Sequence, residues 1–136
     1  NNVDRWHYYY LYLPSIAVID FGSIDSKENI KENQRHLGTQ LFALHFLTPV
    51  SSNHTIDRWM HLRNVAVGDR NASAKIHSMF RVTFAEDKKI LEAIQEQTCD
   101  QQNQNSVHIA IDKGSIAYRR KINELIKSET SFKSST

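Results

Sequence analysis

A strongly amphipathic stretch, VTFAEDKKILEAIQE at residues 82–96, predicts the central helix of the chain. At about 100° per residue, one face of this helix collects the apolar residues Ile76, Phe80, Phe84, Leu91 and Ile94. The opposite face carries the charged residues Glu86, Lys88, Lys89, Glu92 and Glu96. The pattern predicts a long helix over roughly residues 72–97.

Asp87 lies in the middle of the apolar face, three residues after Phe84 and four before Leu91. An ionised carboxylate buried there without a partner is costly, so Asp87 is expected to be paired, protonated, at a helix end or bound to a metal. A helix end would mean that Asp87 caps a second helix after a kink, but Ile90 stands where a capping box needs Glu or Gln. From the residues alone the structural interpretations rank first, because buried acids also occur without function.

Apolar runs before the helix predict β-strands. Residues 6–21 are apolar on both alternating faces, as in strands covered on two sides, and Pro14 is expected to cause a bulge or a break into two segments. Residues 22–35 are polar and predict an exposed loop. Residues 38–49 and 55–65 predict the two strands of an antiparallel hairpin.

The C-terminal part predicts a Gln/Asn-rich loop at residues 99–106, a short apolar run at residues 107–111 and a last helix that Asp112 can cap. The packed stripe of that helix is formed by Tyr118, Ile122, Leu125 and Ile126. Strands followed by helices indicate an α+β fold, with helices packed on one side of an antiparallel sheet.

Composition narrows the function classes. The chain has 136 residues, 40% of them hydrophobic, and a formal charge of +2, which is too mild to indicate nucleic-acid binding. No apolar run has the length of a membrane span, and no signal peptide opens the chain. The lone Cys99 argues against a disulfide-held fold and favours an intracellular setting. A strand pattern that begins within a few residues of Asn1 predicts the C-terminal part of a longer protein.

His45 is the second candidate site residue, because it lies on an otherwise apolar strand face with Leu41, Ala43 and Leu47. It can be a hydrogen-bonded core histidine, or it can donate a hydrogen bond to a ligand in a cavity lined by the sheet. None of the seven histidines forms an H-x-x-x-H or H-E-x-x-H pair, so the sequence contains no self-contained metal motif.

Four segments together resemble the C-terminal catalytic domain of the oxygenase component of Rieske non-haem iron oxygenases, in the vanillate and dicamba O-demethylase-like branch. They are LHFLTP at residues 44–49, Arg63-Asn64, FAEDKKILEAIQ at residues 84–95 and IDKGSIAYRRKINELI at residues 111–126. The resemblance implies a helix-grip fold (START-like, SRPBCC), an antiparallel sheet with long C-terminal helices. Residues 1–128 would form the C-terminal part of the catalytic domain and residues 129–136 a flexible tail.

The resemblance also implies an activity and a set of site residues. It implies a cytoplasmic monooxygenase that demethylates or hydroxylates an aromatic substrate with O2 at a mononuclear Fe(II). Asp87 would be the carboxylate of a 2-His-1-carboxylate iron site, and His45, Pro14, Leu13 and Ser78 would line the substrate pocket. A reductase or ferredoxin would deliver electrons through a [2Fe–2S] cluster in an N-terminal domain. The intact protein would be a homotrimer without nucleic-acid or membrane partners.

Two departures from the family pattern concern the substrate pocket. The strand HTIDRWMH at residues 54–61 lacks the usual T-H-Y-F run, and Val50 stands where an acid is common. The histidine ligands of the iron and the Cys/His ligands of the cluster would precede Asn1. If the intact chain lacked them, the alternative would be an iron-free helix-grip module that binds an apolar small molecule.

Overall fold

The computed structural model describes residues 2–28, 30–99 and 109–133 and shows an α+β fold. Four strands come first: β1 Val3–Tyr12, β2 Ile16–Asp25, β3 Thr39–Ser51 and β4 His54–Arg63. Two helices follow, α1 Arg70–Cys99 and α2 Lys113–Lys133. Short 3-10 helices lie at Ser26–Glu28, Glu32–Leu37 and Ala110–Asp112. This order of elements confirms the predicted fold class and is consistent with a helix-grip-like fold.

The strands form one antiparallel sheet in the order β1-β2-β3-β4. Residues directly opposite each other on antiparallel strands share a face of the sheet. The register therefore places Leu11, Ala17, His45 and Trp59 side by side on one face, called here the His45 face. Asp20 and its cross-strand partners Tyr8 and Phe42 lie on the opposite face, called the Asp20 face.

The apolar run at residues 6–21 is divided into β1 and β2, as one of the two Pro14 alternatives predicts. The turn between them contains a cis Leu13–Pro14 peptide bond. The expectation that both faces of this run are covered is wrong for β1, because all of its residues except Trp6 are exposed. Among the described strands β1 pairs only with β2, so it is an edge of the sheet.

The predicted loop at residues 22–35 is wrong at its start, because β2 continues through Asp25. Gly22 does not end the strand. It lies opposite Trp6, and a Cβ atom there would collide with the Trp6 ring and with the carbonyl oxygen of Thr39. Glycine in a strand interior often marks such a close approach. Later in the predicted loop, Glu32–Leu37 forms a 3-10 helix.

The long helix is confirmed and extends two residues beyond the predicted range at each end. Asp69 precedes it as an N-cap, with Oδ1 accepting hydrogen bonds from the backbone N–H of Asn71 (2.8 Å) and Ala72 (3.1 Å). Gly68 before it has φ +89°, a conformation that favours glycine. The local sequence therefore encodes the start of α1.

The last helix is confirmed as α2, and its Tyr118 and Ile122 are half-buried whereas Leu125 and Ile126 are exposed. The helix continues to Lys133, past residue 128 where the sequence predicts a tail. The predicted Gln/Asn-rich loop lies outside the described residues, apart from Cys99, which ends α1.

The chain divides into two compact units. Residues up to Val67 and from Ala110 onward form the sheet unit, and Gly68–Ile109 forms the α1 unit. Neither helix, over its described residues, is long and apolar enough to cross a membrane.

Candidate functional site

His45 and Asp57 form a close pair on the His45 face. Nδ1 of His45 lies 2.8 Å from Oδ2 of Asp57. The His45 side chain is 13% exposed, whereas that of Asp57 is 39% exposed. A carboxylate at neutral pH only accepts hydrogen bonds, so the ring nitrogen that faces Asp57 must carry the proton. The pair holds the imidazole in one orientation at the sheet surface.

Aromatic and apolar side chains surround His45 on the same face. Trp59 lies directly opposite His45 on β4, and His61 lies opposite Ala43. The Trp59 and His61 rings meet edge to face, with centroids 5.1 Å apart and an interplanar angle of 64°. Ala43 is buried on the same face. The surface around His45 therefore combines aromatic and apolar side chains with the polar groups of Asp57 and His61, and ligand sites commonly combine an apolar lining with a few polar groups.

Leu13 and Pro14 lie in the turn between β1 and β2, at the end of the sheet nearest His45. Ser15 in the same turn accepts a hydrogen bond from the backbone N–H of Leu47, two residues from His45 (2.9 Å). The carbonyl oxygen of Pro14 accepts a hydrogen bond from the Tyr118 hydroxyl of α2 (2.5 Å). Three predicted pocket residues thus belong to one unit and one end of the sheet. The fourth, Ser78, is exposed on α1 in the other unit.

Asp87 lies inside α1 and is exposed, so the expectation of a buried carboxylate is wrong. The apolar face predicted around it is half-buried only in its N-terminal part, at Ile76, Phe80 and Phe84. Leu91 and Ile94 on the same stripe are exposed. An exposed carboxylate keeps its hydration, so Asp87 has no desolvation cost that a partner would have to offset.

The alternative in which Asp87 caps a second helix after a kink is also wrong. α1 is one continuous helix from Arg70 to Cys99, and Asp87 is near its middle, where no free backbone N–H groups need a cap. With the capping role excluded, Asp87 is a solvent-accessible carboxylate that α1 does not need as a cap.

Among the residues that the structure describes, no three His, Cys, Asp or Glu side chains lie close enough together to hold a metal ion. Asp87 is a chemically suitable ligand for Fe(II), because carboxylate oxygens complete the facial triad of non-haem iron sites. It supplies one of the three protein ligands that such a site needs. The described residues alone therefore do not form the iron site that the family resemblance implies.

A second cluster, on the Asp20 face, was not predicted from the sequence. Asp20 is 2% exposed, and its Oδ1 accepts hydrogen bonds from Trp6 Nε1 (3.0 Å) and Gln40 Nε2 (2.9 Å). Its Oδ2 accepts a hydrogen bond from Arg35 Nε (3.1 Å) and forms a salt bridge with Arg35 Nη2 (3.0 Å). The only signal was an Asp within the apolar run IAVIDF, whose partner lies 15 residues further along the chain.

Arg35 completes this cluster from the 3-10 helix Glu32–Leu37. Its guanidinium lies over the Tyr8 ring, 4.3 Å from the centroid, and Nη2 donates to the Tyr10 hydroxyl (3.3 Å). Burial disfavours its charge, but the hydrogen bond and the charge of Asp20 outweigh that cost and raise the pKa of Arg35 above its ordinary value. The buried carboxylate is thus matched by a permanently charged partner, which indicates a structural role.

The Arg63-Asn64 segment connects β4 to the start of β3. Oδ1 of Asn64 accepts a hydrogen bond from the Gln40 backbone N–H (2.8 Å), and Nδ2 donates to the carbonyl oxygens of His36 (3.0 Å) and Gly38 (2.7 Å). Nη2 of Arg63 donates to the carbonyl oxygen of Ala66 (2.8 Å). These contacts fix backbone segments to one another.

Comparison with known families gives a match over most of the chain. The family model of the vanillate O-demethylase oxygenase C-terminal domain matches residues 1–128. No curated protein and no solved structure matches the chain at a significant level. The match covers nearly the whole chain and confirms the resemblance drawn from the sequence segments. The chain therefore belongs to the family of vanillate O-demethylase oxygenase C-terminal domains.

Proposed function

We propose that this chain is the C-terminal part of the catalytic domain of a Rieske-type monooxygenase that demethylates or hydroxylates an aromatic small molecule. The observation that carries the proposal is the family match over residues 1–128. The described fold supports it, because the sheet carries the His45 and Trp59 side chains on one face and the long helix α1 carries the exposed Asp87 carboxylate.

In this proposal Asp87 supplies the carboxylate of a 2-His-1-carboxylate iron site. Asp87 would be one of the residues that hold Fe(II), and the bound metal would supply the chemistry that activates O2. Two properties of Asp87 suit the role: its side chain is exposed, and it projects from a continuous helix that keeps its backbone position fixed. A ligand on a rigid element is held more precisely than one on a loop.

The His45 face would hold the aromatic substrate. Trp59 and the apolar side chains beside it provide surface for a ring, and His45 provides a hydrogen-bonding group with an orientation fixed by Asp57. Leu13 and Pro14 would limit the site at the end of the sheet, and Ser78 is the fourth substrate-binding residue that the family resemblance implies.

The proposal includes electron-transfer partners. A reductase or ferredoxin would supply electrons through a [2Fe–2S] cluster in an N-terminal domain of the intact protein. We further propose that the intact protein acts in the cytoplasm as a homotrimer.

The activity is tested with the intact protein, a reductase and a panel of methoxybenzoates and methoxyphenols. Demethylation converts one O2 and one aryl methyl ether to a phenol, formaldehyde and water, with two electrons and two protons consumed. We expect substrate-dependent O2 uptake with formaldehyde and phenol in equal amounts; hydroxylation would give O2 uptake without formaldehyde. Iron-independent binding of the aromatic compounds without O2 uptake would contradict the proposal and support the iron-free binding module.

Replacing His45 with alanine in the intact protein is expected to weaken substrate binding by about tenfold, because a hydrogen bond in a partly buried site is lost. Iron content should be unchanged, since His45 is proposed to touch the substrate and not the metal. The dissociation constant and the iron content are measured together, with the exposed His54→Ala variant as the matched control. Loss of iron in His45→Ala alone would assign His45 to the metal site.

A further inference from the structure

We propose that Asp57 is a positioning residue for His45: it fixes the imidazole with its proton on Nδ1, so that the buried Nε2 acts as the acceptor nitrogen of the ring when a substrate binds. The inference rests on the proposed function for one point only, which is that the group facing Nε2 belongs to the substrate. The evidence for the tautomer itself is the pair formed by His45 Nδ1 and Asp57 Oδ2 at 2.8 Å.

The sheet register makes this pair specific. Trp59 is directly opposite His45, and Asp57 is directly opposite Leu47, so His45 and Asp57 are diagonal neighbours on one face. Diagonal neighbours on adjacent strands are within reach of long side chains. Because both backbones belong to paired strands, neither residue can move away without disturbing the β3–β4 ladder.

The chemistry follows from the two ring nitrogens. Which nitrogen of a histidine carries the proton is set by the hydrogen bond that the other nitrogen makes. With Nδ1–H donated to Asp57, Nε2 of a neutral imidazole is an acceptor, and protonation of the ring converts it to a donor. Without Asp57 the ring can place its single proton on Nε2 or rotate about the Cβ–Cγ bond. Either change would mismatch His45 with the substrate group that the wild-type site accepts.

Burial separates the roles of the two residues. The His45 side chain is 13% exposed, whereas the Asp57 side chain is three times as exposed, at 39%. Asp57 is therefore the more solvent-accessible member of the pair and acts on a ligand through His45. A pair that only braced the hairpin would contribute stability but would give no coupling between Asp57 and the substrate.

The first experiment determines the tautomer. Histidine side-chain nitrogens are observed by ¹⁵N NMR in the iron-free intact protein, with the His45 signals identified by their loss in His45→Ala. We expect protonated Nδ1 in the wild type and in the control Asp4→Ala, a variant of an exposed carboxylate on β1. In Asp57→Ala we expect the proton to shift to Nε2. A wild-type spectrum with the proton on Nε2 alone would overturn the proposal.

The second experiment tests the coupling to substrate. The probe is the aryl methyl ether that the wild-type protein turns over, and its dissociation constant is measured in the two single variants and the double variant. We expect Asp57→Ala to weaken binding by about tenfold, and to add less than about twofold once His45 is alanine. Equal losses in both backgrounds would show that Asp57 does not act through His45.

Two further outcomes are distinguishable. Asp57→Asn retains the shape of the side chain and provides the comparison if Asp57→Ala does not fold; an amide oxygen facing Nδ1 should restore the tautomer and most of the affinity. If His45→Ala binds the probe as well as wild type, the proposed substrate contact of His45 fails and so does the coupling proposed here. The NMR result would still decide whether Asp57 fixes the ring.

Discussion

Replacing Asp87 with alanine in the intact protein is expected to remove the mononuclear iron and with it all substrate-dependent O2 uptake. The physical reason is the proposed facial triad, in which one carboxylate provides one of three protein ligands. The iron content of the purified variant is the first measurement, and O2 uptake with the aryl methyl ether is the second. Iron in the [2Fe–2S] cluster is counted separately by its visible absorption.

The same substitution should have little effect on folding. Asp87 is exposed in the middle of a continuous helix, where alanine has the higher helix propensity, by about 0.7 kcal/mol or less. The melting temperature of the iron-free variant should therefore equal or slightly exceed that of iron-free wild type. Only the iron-loaded wild type should gain stability from the metal, since a ligand that binds only the folded state stabilises it.

The matched control is Glu86→Ala, which removes a neighbouring exposed carboxylate from the same helix. It should retain iron and O2 uptake. An Asp87→Ala protein that keeps its mononuclear iron and its turnover would refute the assignment, and so would equal loss of iron in both variants. Destabilisation of the iron-free Asp87 variant by more than about 1 kcal/mol would instead indicate a structural role that the exposed position does not predict.

The helix boundaries could be predicted closely, because local chemistry determines them. Gly68 and Asp69 provide the break and the N-cap of α1, and an uninterrupted amphipathic pattern carries the helix through residue 97. The burial of Asp87 could not be predicted in the same way. Periodicity identifies which residues share a helix face, but it does not show how far along the helix that face is covered. Leu91 and Ile94 share the apolar face and are exposed.

The extent of β2 shows a second limit of prediction from the sequence. Gly22 and the polar residues after it are typical of a loop, yet they continue a strand because Trp6 occupies the space that a side chain at Gly22 would need. That packing depends on a residue 16 positions earlier in the chain, and no local propensity reports it. The pairing of His45 with Asp57 was missed for the same reason. Asp57 is one of several polar residues in its own segment, and only the β3–β4 register brings it to His45.

Substitutions in the Asp20 cluster are expected to have the largest effects on the free energy of unfolding. Asp20→Ala in the intact protein should destabilise the sheet unit by roughly 3–5 kcal/mol, because Trp6, Gln40 and the largely buried Arg35 guanidinium all lose their acceptor. A loss of this size is a large part of the 5–15 kcal/mol that holds a typical domain together. Hydrogen exchange of the backbone amides of β2 and β3 should therefore accelerate strongly, and the melting temperature should fall. Glu28→Ala, which removes an exposed carboxylate from the same unit, should leave both unchanged.

The contribution of the Asp20–Arg35 ion pair to stability can be tested by substituting both residues. Arg35→Met keeps most of the apolar stem but leaves the Asp20 carboxylate, 2% exposed, with only neutral donors, so this variant should also be strongly destabilised. Asp20→Asn removes the opposite charge and keeps the side-chain shape. In the double variant neither charge remains to be desolvated, so we expect it to lose less stability than the sum of the two single losses by at least about 1 kcal/mol. Additive losses would show that the ion pair is not coupled and that the neutral hydrogen bonds of Trp6 and Gln40 hold Asp20 in place.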